Sequence, residues 1–363
     1  MKSILYLIKS QMKKIINMYF APFKSCNLNC KYCYVPKIYK NVAKPDSITI
    51  LNRLERLISK IETDGYQIGA FCLHGSEPAL MNPDTLIKIS DCLRSHWSRL
   101  QCSNRSIAIQ SNGTRFTDQY LSELKNQLSR LSDIKLGFSI DPPKVIHDQF
   151  RDNSFDLVEQ NYLHALDMGF PVSVLSVVTD TVMEHLEGFK RWMKEQLAKK
   201  VQTGNPYKIK IKLASAPKMF SLKHIQAFTD FLIDNDLQSL LQILTPGYCL
   251  QAGNECEWYE FDIEGNCYSC NKNFNQENIF ANWMQEPISK IVDKRKQLFI
   301  NDPIHAECCL CEYEMICNSG CPSDRIRSGD FLGKAHECEI IKKILKNKEE
   351  QGLHYIDFYN QNN

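Results

Sequence analysis

Along most of this chain, short apolar runs alternate with longer stretches whose apolar residues return every three or four positions. The runs Ile16 to Phe23, Ile68 to His74, Ser106 to Gln110, Lys135 to Ile140, Val172 to Val178 and Lys208 to Leu213 read as strands. The stretches Ser47 to Lys60, Pro83 to Arg99, Thr117 to Leu131, Phe155 to Met168, Met183 to Lys199 and Ser221 to Asn235 read as helices. Leu51, Leu54, Leu57, Ile58 and Ile61 make the stripe of the first helix, and Thr117 and Ser221 stand where helix caps are needed. Strand and helix thus alternate in series, which predicts an α/β fold: a parallel sheet with right-handed crossovers, curled into a partial (β/α)6 barrel. Its active site belongs on the loops at the carboxyl ends of the strands.

The chain has 363 residues, 43% of them hydrophobic, enough for one large core and a smaller module. The N-terminal run Ile4 to Ile8 is too short to span a membrane, is followed by Lys9, Lys13 and Lys14, and lacks a small-residue cleavage site, so a cytoplasmic protein is expected. In that compartment sixteen cysteines point to metal rather than to a disulfide framework. A net charge of +2 without a basic block interleaved with aromatics gives no support to a nucleic-acid partner.

Three cysteines, Cys26, Cys30 and Cys33, fall within eight residues in the spacing CxxxCxxC. Three thiolates on a cluster of four irons leave one iron open to a small molecule, whereas a four-cysteine site is closed. No second pair lies nearby to complete a zinc tetrahedron. This run resembles the signature of the radical S-adenosylmethionine superfamily, with the aromatic Tyr32 before the last cysteine. The resemblance implies a [4Fe–4S] cluster that binds S-adenosylmethionine at its open iron and generates a radical that takes hydrogen from an inert carbon.

Further segments carry the same likeness. Leu73-His74-Gly75-Ser76-Glu77-Pro78 corresponds to the family's GGE segment, which meets the amino group of the cofactor's methionine portion; Ser76 takes the place of the second glycine. The stretch from Gly137 through Ser139-Ile140-Asp141-Pro142-Pro143 to His147-Asp148-Gln149-Phe150-Arg151 is similar to one in the peptide-modifying branch, with Pro142 in place of a glycine. By that match Ser139 meets the ribose or carboxylate region and Arg151 pairs with the carboxylate. The plain reading of Asp141 is a helix or turn cap, and His147 reads more simply as a surface loop residue than as a catalytic one. Leu213 matches the position that meets adenine, with plain barrel core as its other reading.

The last third holds Cys249 and Cys256, then Gly265 and Cys270 in the spacing GxxxxC, then Cys308, Cys311, Cys317, Cys321 and Cys338. The pattern resembles the SPASM extension, which implies two auxiliary [4Fe–4S] clusters: Cys249, Cys256, Cys270 and Cys321 on the inner one, Cys308, Cys311, Cys317 and Cys338 on the outer. Cys72, Cys92 and Cys102 read as core or surface residues, Cys267 and Cys309 as bystanders. A zinc ribbon on Cys308, Cys311, Cys317 and Cys321 is the rival reading. The expected division is a barrel over 1–240, an auxiliary-cluster domain over 241–345 and a tail over 346–363.

The family implies a precursor peptide as substrate and reduced flavodoxin or ferredoxin as electron donor, with neither nucleic acid nor membrane as partner. Anaerobic sulfatase-maturing enzymes, which share this layout, carry an aspartate base immediately after the third auxiliary cysteine; here that residue is Asn271, whose amide cannot take a proton at neutral pH. The preferred reading is therefore oxidative cross-linking of a side-chain carbon to an aromatic ring, a cyclophane, with sulfatase-type oxidation or thioether formation as the alternative. A non-catalytic iron–sulfur electron carrier would need no such set of cofactor contacts. Glu260 or Asp262, in the segment leading to Gly265, could supply another base, though both read more simply as solvated hairpin carboxylates, and no extra leader-binding domain is evident before Cys26.

Overall fold

Each apolar run becomes a strand because one side of it can be buried against helices while the other faces an interior space. A computed structural model describes residues 14–39, 42–99, 105–204, 209–213, 221–241, 256–300, 304–323, 334 and 337–352. The first six strands are β1 (Lys14–Ala21), β2 (Tyr66–Leu73), β3 (Ile107–Ser111), β4 (Ile134–Ser139), β5 (Val172–Val178) and β6 (Ile209–Leu213), and they pair in parallel in that order. Burial alternates strictly along β3, β5 and β6. The fully buried set, such as Ile107, Ile109, Val172, Ile209 and Ile211, belongs to the core. Between them Ala108, Gln110, Ser173, Leu175, Lys210 and Lys212 line a cavity.

The crossovers are helices α1 (Ser47–Thr63), α2 (Pro83–Arg99), α3 (Asp118–Gln127), α4 (Lys144–Phe150), α5 (Phe155–Asp167), α6 (Leu186–Thr203) and α7 (Leu222–Asp234). On α1 the buried stripe is Ile50, Leu54, Leu57, Ile58 and Ile61, with Leu51 at its margin. Thr117 caps α3 through Tyr120 N and Ser221 caps α7 through His224 N, as their positions predict. Helix α4 falls where the pattern predicts loop: it is only seven residues long, and its register is set by contacts beyond it, with Ile146 and His147 buried.

The sheet does not end at β1. Strand β7 (Trp258–Asp262) joins β1 in parallel, Tyr19 opposite Glu260 and Ala21 opposite Asp262. Antiparallel strands β8 (Asn266–Tyr268) and β9 (Ile279–Asn282) complete nine, in the order β6-β5-β4-β3-β2-β1-β7-β8-β9. Because Lys210 on β6 and Trp258 on β7 line one cavity, the sheet must curl around it. Helix α8 (Ile288–Ile300) follows β9; the single turn α9 (Glu314–Cys317) and helix α10 (Cys338–Glu350) close the described chain. Buried Ile340, Ile341, Ile344 and Leu345 and the pair Lys343–Asp230 dock α10, and Tyr313 bonds Glu349 near its end. This helix therefore runs past residue 345 into the segment expected as a tail.

The core's centre lies around Phe138, fully buried and edge-on to Phe116 at 5.3 Å and to Tyr162 at 5.7 Å. Phe138→Ala should lower stability by about 3–5 kcal/mol in a denaturant titration. A loss under about 1 kcal/mol would show that β4 is not packed as described.

Candidate active site

The loop after β1 carries Cys26, Cys30 and Cys33 and is tied down by its neighbours rather than by its own secondary structure. Glu77 N donates to Ser25 O at 3.1 Å, and Lys31 N donates to Phe150 O at 3.0 Å at the end of α4. Asn27 sits between Asn112, which donates to its Oδ1 at 2.9 Å, and Thr114, whose Oγ1 accepts from its Nδ2 at 2.8 Å. The ends of β2, β3 and α4 thus hold the three thiols. Burial first, then the proximity of Glu77, Cys30 and Cys33, pushes the Cys26 thiol up to about 11.

All three cysteines line the large cavity, together with Tyr32, Gly75, Ser76, Glu77, Ser139, Arg151 and Leu213. Gly75 has φ +84°, and a Cβ there would stand 3.0 Å from Glu260 Oε1 and 3.1 Å from Ala21 Cβ, so only glycine fits. Ser76 Oγ is buried without a hydrogen-bond partner. Ser139 Oγ accepts from Gln110 Nε2 at 3.0 Å. Glu77 is engaged by the fold: its carboxylate accepts from Ala79 N, from Ser111 Oγ at 2.7 Å and from Asn112 N at 2.6 Å, while burial raises its pKa.

Asp141, expected as a turn cap, is the hub of the opposite wall. Its Oδ2 accepts from Arg151 Nε at 2.8 Å and from the Tyr32 hydroxyl, and its Oδ1 accepts from Val177 N at 2.7 Å. It thereby joins the cysteine loop, the end of α4 and β5. His147 is not on the surface but fully buried; its Nδ1 accepts from Asp141 N at 3.2 Å and its Nε2 meets Ser154 Oγ at 3.1 Å. Burial pushes its pKa down to about 4, so it is a neutral bracket for Asp141. No sequence signal beyond the shared stretch marks this network, because it joins residues from four elements.

Cys256, Cys270 and Cys321 line the same cavity as the first three cysteines. Arg295 of α8, buried between Tyr259 and Phe299, donates to Ser269 O at 3.0 Å and to Cys256 O. Asn273 bonds Ser269 at 2.8 Å and Ser323 at 3.3 Å, bringing the Cys321 loop to the Cys270 loop. Cys308, Cys311, Cys317 and Cys338 line a second space of about 370 Å³. Cys249 lies outside the described residues, as does Cys102. The four cysteines of the zinc-ribbon reading are therefore divided between two cavities, Cys321 in one and the rest in the other. Among the described residues no three His, Cys, Asp or Glu converge on a single-ion site. Cys267 is fully buried in the core and Cys309 is exposed; neither lines either space. Cys72, read as core or surface, lines the large cavity.

Three further buried polar residues, His74, Glu260 and Asp262, lie on or near the cavity wall. His74 meets Tyr34 OH at 2.8 Å through Nδ1 and Asn271 Nδ2 at 3.4 Å through Nε2. Burial, with Lys212 adding to it, pushes His74 down to about 3. Glu260 and Asp262 are fully buried, against the expectation of solvated carboxylates, because β7 is an interior strand. Asp262 is held by Lys24, Asn266 and Tyr268. Neither oxygen of Glu260 has a partner, and burial, then Asp262, raises its pKa well above the ordinary carboxylate value.

The chain carries a Radical SAM domain and is homologous to enzymes of that superfamily. Residues 21–193 match the Radical SAM superfamily. The chain is 24% identical over 379 residues, covering 94% of it and 97% of the relative, to a cysteine-type anaerobic sulfatase-maturating enzyme of Clostridium novyi. To a serine-type one of Bacteroides thetaiotaomicron it is 24% identical, over 83% and 80% of the two chains. Its fold matches anSMEcpe with bound AdoMet at a TM-score of 0.72, with 18% identity over 96% of both chains. It matches Streptococcus suis SuiB bound to precursor peptide SuiA at 0.54, with 13% identity over 90% and 76%. Among the described residues no helix is long and apolar enough to cross a membrane.

The cofactors of this class are [4Fe–4S] clusters and S-adenosylmethionine, and the residues present fit them. Three thiols line the cavity, as a cluster bound by three cysteines requires, and beside them lie Gly75 and Ser76, whose Oγ is buried without a protein partner.

Two outcomes follow from the buried carboxylates. Asp141→Asn turns an amide toward both Arg151 Nε and the Tyr32 hydroxyl and leaves the guanidinium buried without its counter-charge; the expected loss is about 3–5 kcal/mol by chemical denaturation. An unchanged midpoint would remove Asp141 from the hub. Glu260 keeps in the folded state a proton that the unfolded chain releases, so stability falls as pH rises above the ordinary carboxylate value. Melting curves of wild type and Glu260→Gln should converge in acid and separate toward alkaline pH, the variant melting higher; parallel pH profiles would contradict this.

Proposed function

We propose that this chain oxidatively cross-links a ribosomally made precursor peptide, joining an unactivated side-chain carbon to an aromatic ring. Cys26, Cys30 and Cys33 would hold the cluster that binds S-adenosylmethionine, with Gly75, Ser76 and Ser139 against the bound molecule. Arg151, fixed through Nε by Asp141, lines the cavity, where its guanidinium would suit a carboxylate. Cys256, Cys270 and Cys321, with Cys249, would hold the inner auxiliary cluster, and Cys308, Cys311, Cys317 and Cys338 the outer. When bound, the first cluster and its nucleotide supply a carbon radical able to take hydrogen from the substrate. The protein's part is to orient the peptide over the cavity and to exclude water from it.

The observation that carries the choice of reaction is Asn271 beside Cys270 on the cavity wall. Oxidation of a cysteine or serine side chain calls for a base to take its proton. An amide cannot serve, and the neighbouring His74 is held neutral by burial and is a weak base. In carbon–carbon coupling the ring's hydrogen would leave as a proton and one electron would pass to an auxiliary cluster; a proton on the coupled ring is far more acidic than that of a thiol or hydroxyl, so the demand on a base is less. SuiB, whose fold this chain shares, has been seen with a precursor peptide. Reduced flavodoxin or ferredoxin is the electron donor that fits this chemistry. The second reading, maturation of a sulfatase, is supported by whole-length likeness to enzymes of that name.

Co-expression with a short peptide encoded beside the gene, followed by tandem mass spectrometry, separates the two. Cross-linking predicts loss of two hydrogens, fragmentation blocked between the joined residues and no reaction with an aldehyde reagent. An aldehyde-reactive product formed at a cysteine or serine would replace this reading with the second.

A further inference from the structure

The side chain of Asn271 lies between two partners, with Oδ1 3.0 Å from Cys270 Sγ and Nδ2 3.4 Å from His74 Nε2. The two ends of an amide have nearly the same shape, so hydrogen-bond chemistry decides which is which. Gly75 N donates to His74 Nδ1 at 2.7 Å, and a backbone N–H can only donate. The Tyr34 hydroxyl reaches the same nitrogen at 2.8 Å. Nδ1 is therefore the bare nitrogen of a neutral ring, and Nε2 carries the proton toward Asn271. Burial holds the ring in that neutral form.

A cysteine that ligates iron is a thiolate, an acceptor with no proton to give. With the amide in that orientation, its carbonyl would face the thiolate and its NH2 would face an N–H, two repulsions. Turned over, Oδ1 accepts from His74 Nε2–H and Nδ2–H donates to Cys270 Sγ, so one rotation satisfies both contacts. We propose that His74 and Asn271 form a donor chain that ends on the sulfur of Cys270 and raises the reduction potential of the inner auxiliary cluster. This rests on ligation by Cys270. Hydrogen bonds to cluster sulfurs help set the potential, because a donor stabilises the electron-rich reduced state. An aspartate at the same position would do the opposite, placing negative charge against the sulfur. Both residues are positioning residues, and the chain starts at Tyr34, the neighbour of Cys33, so it links the two cysteine sets through residues that line the cavity.

The test is a redox titration followed by electron paramagnetic resonance on the anaerobically reconstituted full-length protein, comparing wild type with Asn271→Leu, Asn271→Asp and His74→Phe. Cys270→Ser serves as the control for ligation. The auxiliary midpoint should fall in Asn271→Leu and fall further in Asn271→Asp, with a smaller drop in His74→Phe, at unchanged iron content and circular dichroism. If Cys270→Ser loses iron while the Asn271 variants keep the wild-type midpoint, the donor chain is wrong and the ligation stands. If Cys270→Ser keeps its full iron and spectrum, ligation by Cys270 fails and the donor chain fails with it.

Discussion

The parallel pairing of β7 with β1 fixes where the second half of this molecule stands. A barrel strand at the open edge of a sheet has unpaired amides and carbonyls along one side. Here those of β1 are taken up by Trp258–Asp262, with Asn17 opposite Trp258 and Ala21 opposite Asp262. The register has two consequences. It buries Glu260 and Asp262 beside the first cysteine loop, and it puts Trp258, Cys256 and Cys270 on the wall of the cavity that the loop enters. Without that strand pair the two cysteine sets would have no common space.

The second constraint is the tethering of the loop itself. A short irregular segment with three thiols has little to hold it in place, and this one borrows its order from strand ends. Glu77 reaches across from β2 to β3, and its backbone N–H meets Ser25; Asn112 and Thr114 grip Asn27; Asp141 grips Tyr32 and Arg151. Several groups that could be taken for ligand contacts are thus committed first to the protein. Glu77 is the clearest, since its carboxylate already accepts from three donors. The hydroxyl of Ser76, by contrast, is buried without a protein partner, at the position where the family's pattern has glycine.

Much of this was legible from residue order. Periodicity placed β5 at Val172–Val178 and α2 at Pro83–Arg99 without error, because alternation and helical spacing are local properties. The cysteine spacings pointed to three sets; among the described residues the large cavity is lined by the first set and by Cys256, Cys270 and Cys321, with Cys72 beside them, and the small one by the outer four. Helix α4, the pairing of β7 and the burial of His147, Glu260 and Asp262 were not legible, because each depends on which distant element lies alongside. Asn271 stood out as a departure from a known pattern, but its partner His74 lies 197 positions away and only the fold joins them.

The central claim is that Cys26, Cys30 and Cys33 leave an iron open inside the cavity, where S-adenosylmethionine binds it. Electron–nuclear double resonance on the reduced, anaerobically reconstituted protein tests this directly, using S-adenosylmethionine labelled in its amino and carboxylate groups. The account predicts coupling of the labelled nuclei to one cluster, lost when Cys26, Cys30 and Cys33 are replaced by alanine. Absence of coupling in the wild-type protein, with its clusters intact, would contradict it.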